Sequence, residues 1–147
     1  MKHLSVILLT LFLLMGCSAK PAVVDLGGKP VTYPTVEVME FDSDLIVTGK
    51  TLSTDSRIER LVDDQVTSVL TLTQFRIDTV EKGNAKPGDI ITIWQDSAYD
   101  EETNTIYLFG ATSPLAEYEE YRLYLKLREP GSEYYIPVSS QGIRPNP

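Results

Sequence analysis

Histidine and cysteine are almost missing from this chain. His3 is the one histidine and Cys17 the one cysteine among 147 residues. Positive charge is also scarce, with 13 Lys and Arg against 21 Asp and Glu and a net charge of −8. The one long apolar run, Leu4 to Met15, is about a dozen residues, whereas a membrane-spanning helix needs about 20. Lys2 and His3 before this run, and the small Gly16 directly ahead of Cys17, give it the layout of a secretory leader. Loss of that leader removes the only imidazole. No Ser-His or Cys-His pair can then be assembled, no base titrates near neutral pH, and a zinc site of the usual nitrogen and sulfur ligands is excluded. Carboxylates, Lys, Tyr and Ser remain for chemistry, and no disulfide can support the fold. No cofactor is implied.

The segment Leu14-Met15-Gly16-Cys17 resembles the lipobox of bacterial lipoproteins, an aliphatic residue, a variable one, Gly or Ala, then Cys. The resemblance implies cleavage before Cys17, a diacylglyceryl thioether on its sulfur and an acyl chain such as palmitate on its new amine. Two or more chains give a stable anchor. The expected location is the extracytoplasmic face of a bacterial cell membrane, or an outer membrane where one exists, which Ser18 permits. An ordinary cleaved signal beside an incidental cysteine is the alternative. Residues 1–16 are thus read as the leader, 17–33 as a flexible tether and 34–147 as one domain. Pro21, Gly27, Gly28 and Pro30 mark the tether, whose random-coil span is roughly 20 to 25 Å. Without the leader the count is 12 basic against 21 acidic residues, a net charge of −9. Such a surface repels phosphate backbones and anionic headgroups, so no nucleic-acid partner is expected and the tethered domain is held off the lipid.

The remainder reads as strands. Thr35 to Phe41 fits one turn of helix with Val36, Met39 and Phe41 inward, or a strand. Asp44 to Leu52 is β-branched, and Gly49 inside it marks a bulge or a close backbone approach. Residues 53–68 fit either a short helix or a long hairpin loop. In Val69 to Val80, Leu70 and Leu72 hold one phase and Phe75 and Ile77 the other, which demands a change of inward face between Thr73 and Phe75. Ile90 to Gln95 places Trp94 outward. Asp96 to Asn104 carries many oxygens but lacks the order of a calcium loop, so no metal site is expected. Ile106 to Phe109 reads as a short strand, and Ser113-Pro114 as the cap of a helical turn ending at Tyr118. Tyr121, Leu123, Leu125 and Leu127 alternate inward, with Arg122, Tyr124 and Lys126 outward. Tyr134, Ile136 and Val138 would face in from a last strand that Pro137 puts on an edge.

Five or six strands in about 100 residues, with one or two short helical turns, make an all-β domain, and closure into a small OB-like barrel would remove exposed edges. The order Phe75-Arg76-Ile77, Val80-Glu81-Lys82-Gly83, Pro87-Gly88-Asp89 into Ile90-Ile91-Thr92-Ile93, then Ser113-Pro114-Leu115 and Glu120 to Leu125 resembles bacterial relatives of the netrin-like module, which shares an OB-type barrel with the TIMP inhibitors. The inhibitory activity of TIMPs is not implied, because a free N-terminal cysteine delivers it there and Cys17 would be acylated. The expected function is a non-catalytic binding module of the bacterial envelope, anchored through Cys17, with a protein or glycan ligand contacted by Trp94 and Tyr124. A passive envelope assembly component is the alternative. A carboxylate-dependent hydrolase using Asp96 with Glu120, about 5 to 10 Å apart, is a further one.

Overall fold

A computed structural model describes residues 19–110 and 112–146. The leader and the lipobox with Cys17 lie outside the described residues. Among the described residues no helix is long and apolar enough to cross a membrane.

The domain is all-β. Among the described residues its strands are β1 (Ala22–Asp25), β2 (Leu45–Arg60), β3 (Val66–Lys82), β4 (Ile90–Gln95), β5 (Ser97–Asp100), β6 (Thr105–Leu108), β7 (Glu120–Leu127), β8 (Tyr134–Pro137) and β9 (Ile143–Pro145), joined by a helix, α1 (Val36–Asp42), and a 3-10 turn at Ser140–Gly142. One sheet runs β2-β3-β4-β8-β7-β9, and β7 also pairs with β2, so five strands return on themselves as a small barrel. Closure is partial. It rests on a parallel pairing of β4 with β8 that covers only Thr92 with Tyr134 and Ile93 with Tyr135. Counted within the ring, the third and fifth strands are the parallel neighbours, the strand order of an OB-type barrel. A second sheet, β1-β6-β5, stands beside the long β2–β3 hairpin.

The barrel core is Leu45, Val47, Phe75, Ile77, Ile93, Leu115, Leu123 and Leu125. These are the alternate positions of β2, β3, β4 and β7, as period-two patterning requires. At Gly49 any Cβ would collide with the carbonyl oxygen of Arg76 and stand 2.8 Å from the Phe75 ring. A register shift also falls between Thr48 and Gly49, so the glycine marks both a bulge and a close approach.

Several expectations are corrected. The inward face of β3 does not change: Val69, Thr71, Thr73, Phe75 and Ile77 are all buried and in one phase. The barrel interior becomes polar beyond Phe75, with Thr51, Thr71, Thr73, Gln95 and Ser97 inside, which leaves Leu70 and Leu72 on the outer face. Residues 53–68 are neither helix nor open loop; they extend both hairpin arms around a short connection at 61–65. Ser113 to Tyr118 forms no helical turn, because Gln95 holds it extended across the barrel end, donating to the Ser113 carbonyl at 2.7 Å and accepting from Leu115 N at 3.0 Å. β8 is not an edge strand, since it lies between β4 and β7. Pro137 is its last residue, and Tyr135, not Tyr134 and Ile136, packs on the barrel core.

The tether is corrected too. Ala22 to Asp25 pair in parallel with Thr105 to Leu108, and Leu26 N donates to the Leu108 carbonyl at 2.8 Å. Those residues are sheet, not slack chain.

α1 begins at the Thr35 cap, whose hydroxyl accepts from Val38 N at 3.3 Å. The helix lies over the outside of β2 and β7. Met39 is buried there with Ile46, Tyr124 and Val138, while Phe41 points away at 88 % exposure. Lys82 donates to the Glu40 carbonyl at 2.7 Å, and Lys126 meets Asp42 at 2.7 Å. The Tyr33 hydroxyl donates to the same carboxylate. The Lys126 ammonium, followed by that phenol, holds the Asp42 carboxyl below its ordinary range. Burial, then Asp42, pushes the Tyr33 phenol up to about 12.

Gly49→Ala is expected to lower stability by about 2 kcal/mol or more, because backbone and not a flexible side chain must yield. A denaturant midpoint within error of the parent would refute the close approach. The Asp42 contribution is present above an ordinary carboxylate pKa of about 4 and is lost as the pH falls through the lower native value. The Tyr33 contribution is present below about 10 and is lost as the pH climbs to about 12. Unfolding midpoints should therefore decline at both ends of the pH range, and Tyr33→Phe should flatten the alkaline decline. An alkaline limb unchanged in that variant would count against the phenol's role.

Candidate functional site

The outer face of β3, β4 and β8 collects the half-buried side chains that the barrel does not use. β3 contributes Leu70, Leu72 and Gln74, and β4 contributes Thr92 and Trp94. Leu72 is the cross-strand partner of Trp94, Gln74 of Thr92, and Thr92 in turn of Tyr134. Gln74 Nε2 donates to Thr92 Oγ1 at 3.0 Å.

Trp94 is the centre of this face, and three neighbours fix its ring. The indole N–H donates to Asp96 at 2.9 Å. Tyr134 meets it edge-on, with centroids 5.7 Å apart and planes at 64°. The Arg128 guanidinium stands 4.2 Å from the ring centroid. Arg128 comes from the β7–β8 connection, which turns at Pro130-Gly131 and is tied back by Arg128 N to the Tyr134 carbonyl at 2.9 Å. An aromatic ring locked by packing, an N–H bond and a cation over its face loses little freedom when a ligand stacks beside it. In OB-type barrels this face and the adjoining loops are where ligands bind.

Of the two expected contact residues, Trp94 is on this face and Tyr124 is not. Alternation correctly puts Tyr124 outside the barrel, but α1 and the Ser140–Gly142 turn cover that outside, and the residue is fully buried. Arg122 and Arg144 lie 5.1 and 5.3 Å from its ring centroid, and its hydroxyl has no hydrogen-bond partner among the described residues. Tyr124 is a core residue of a second layer. Tyr134 and Arg128 are the contacts that sequence reading missed. The Tyr134-Tyr135 pair offered either phase, and a loop arginine carries no periodic signal.

Two clefts lie where the small sheet meets the hairpin. One, of about 750 Å³, is lined by Val24, Leu26, Asp64, Val69, Asp96 and Phe109 among others. The other, of about 650 Å³, is lined by Thr54, Ser56, Thr71, Tyr99, Glu101 and Glu117 among others. Glu117 is committed to Thr54, accepting from its N at 2.8 Å and its hydroxyl at 3.0 Å. Asp96 lines the first cleft and holds the indole. Glu120 lines neither; it is exposed at the start of β7 opposite Lys50. The Asp96–Glu120 pair therefore shares no cleft. In the oxygen-rich stretch 96–104, Asp100 is taken up by its own turn and by Arg60, at 2.5 Å. Among the described residues no three acidic, His or Cys side chains are grouped as a metal site would need.

Comparisons with protein-family models, with curated proteins and with solved structures return no match for this chain.

Proposed function

We propose that this chain is a lipid-anchored, extracytoplasmic lipoprotein of a bacterial envelope that acts as a non-catalytic binding module and takes an envelope glycan on the Trp94 face. The lipobox residues Leu14, Gly16 and Cys17 support the anchoring. The observation that carries the binding is the fixed, half-buried Trp94 ring on the third strand of the barrel, with Arg128, Gln74 and Thr92 on the same face as polar groups. A flat ring beside hydrogen-bonding groups suits the apolar face and the hydroxyl rim of a sugar. A protein segment is the second reading, favoured by Leu70 and Leu72, which extend the face with aliphatic surface. Acidic net charge disfavours nucleic acid.

Trp94 is the only tryptophan, so its emission reports directly on this face. Soluble fragments of envelope glycan are expected to change that emission saturably. By calorimetry, Trp94→Ala should weaken binding at least about tenfold, roughly 1.4 kcal/mol, while a cooperative unfolding transition shows that the barrel is still folded. Glycans that leave the emission untouched, together with a stoichiometric protein crosslinked on intact cells, would shift the ligand to the second reading. Tyr124→Ala should instead lose about 3 to 5 kcal/mol of stability, whereas Tyr124→Phe, which removes an unpaired buried hydroxyl, should be neutral or stabilising. Cys17→Ser should abolish the lipid mass on the mature protein and release it from membranes; retention of both would end the anchoring proposal.

A further inference from the structure

The chain enters the domain already docked. The Ala19 carbonyl accepts from Asn104 Nδ2 at 3.1 Å, Ala22 N donates to the Asn104 carbonyl at 2.9 Å, and β1 then runs along β6. Ala19 is two residues beyond Cys17, and two extended residues reach no more than about 7 Å. Whatever holds Cys17 is therefore held beside the β5–β6 turn, residues 101–104. A slack linker would have left every face of the domain free to turn toward that point; this one does not.

An ion pair ties the β2–β3 tip to that turn. The Arg60–Asp100 ion pair, 2.5 Å long, fastens the last residue of β2 to the residue preceding that turn, and the Arg60 guanidinium also lies 5.5 Å from the centroid of the Tyr107 ring. Directly after Arg60 comes the β2–β3 connection, where Leu61 is 53 % exposed and Val62 fully exposed. Two aliphatic side chains at the tip of a hairpin pinned by a charge pair are thus left exposed among the described residues. The opposite end of β3, near Lys82 and Lys86, is about 50 Å away along the strand at its usual rise.

Resting on the reading that Cys17 is acylated, we propose that the end formed by the β5–β6 turn and the β2–β3 tip faces the lipid surface, with Leu61 and Val62 touching it. Chain length selects this occupant, because acyl chains on Cys17 bring the bilayer within a few ångströms of the turn. Asp63 and Asp64 flank the tip, and Glu101 and Glu102 belong to the turn. Their hydration keeps the contact shallow, and their charge makes it weaker on anionic bilayers at low salt, where screening is least. Trp94 pairs with Leu72, six residues along β3 from Val66. The binding face is thus carried at a set height, roughly 25 Å along the strand from the tip.

Because Cys17 is the only natural cysteine and would carry the thioether, one introduced cysteine can be labelled selectively. The lipidated protein, labelled through Val62→Cys, Glu102→Cys or Lys86→Cys, would be reconstituted in phosphatidylcholine vesicles with a nitroxide on the lipid headgroup. Quenching is expected to be at least threefold stronger at positions 62 and 102 than at 86. Ten Gly and Ser residues inserted between Ser18 and Ala19 should erase the difference. Joint Leu61→Ser and Val62→Ser substitution should reduce quenching at 102. Equal quenching at all three positions, on protein whose mass carries the lipid, would overturn the orientation while leaving the anchor standing. A mass without lipid would remove the anchor and the orientation with it.

Discussion

The pairing of β2 with β3 is the interaction on which the rest of the structure depends. Each strand is far longer than a small barrel uses, with 16 and 17 residues. The lower halves, from Leu45 to Thr51 and from Thr71 to Lys82, close the barrel with β4 and β7. The upper halves run on beyond it and supply the surface against which Ala98, Tyr107 and Leu26 of the small sheet pack, around Val69 and Ile58. Four register shifts along the pair let one continuous hairpin serve both purposes, since each bulge adds twist that a flat ribbon lacks. Gly49 sits at one of them because only a missing Cβ lets β2 come that close to β3.

What the sequence made legible was the alternation of single strands; what it hid was how many layers cover them. Leu123 and Leu125 point into the barrel as their spacing requires, and Arg122, Tyr124 and Lys126 point out. Period two separates inside from outside of a sheet, but it says nothing of a helix laid over the outside. Val36 and Met39, in a segment that also fits a strand, were the visible trace of α1 above Tyr124. Trp94 escaped that fate because, among the described residues, no helix crosses β4. In β3 the misleading residues were Thr71 and Thr73, polar side chains inside, with Leu70 and Leu72 outside. Reading Leu as inward produced an inversion of phase that the strand does not have. The tether was misread for a different reason. Pro21, Gly27 and Gly28 flank Ala22 to Asp25, too short a run to announce a strand, and its partner lies more than 80 residues away.

The buried polar layer around Thr71 and Gln95 also explains how the chain holds an irregular segment at the mouth of the barrel. Thr71 donates to the Ser97 carbonyl at 2.7 Å and lies 2.8 Å from the Ser56 hydroxyl, while Gln95 grips both sides of Pro114. These bonds let Leu115 close the core in place of a helix. The layer is not wholly satisfied, since the Thr51, Thr73 and Ser97 hydroxyls have no partner among the described residues. Unpaired buried hydroxyls weaken this end of the barrel relative to the aliphatic end.

The seam between β4 and β8 has a consequence of its own. Two residue pairs in parallel register are the least backbone bonding of any junction in the ring, so thermal opening of the cylinder should begin there. Trp94 stands on one lip of that seam and Tyr134 on the other. A guest molecule lying across both rings would act as a clasp, and the free energy of its capture would appear as resistance of the whole cylinder to unzipping.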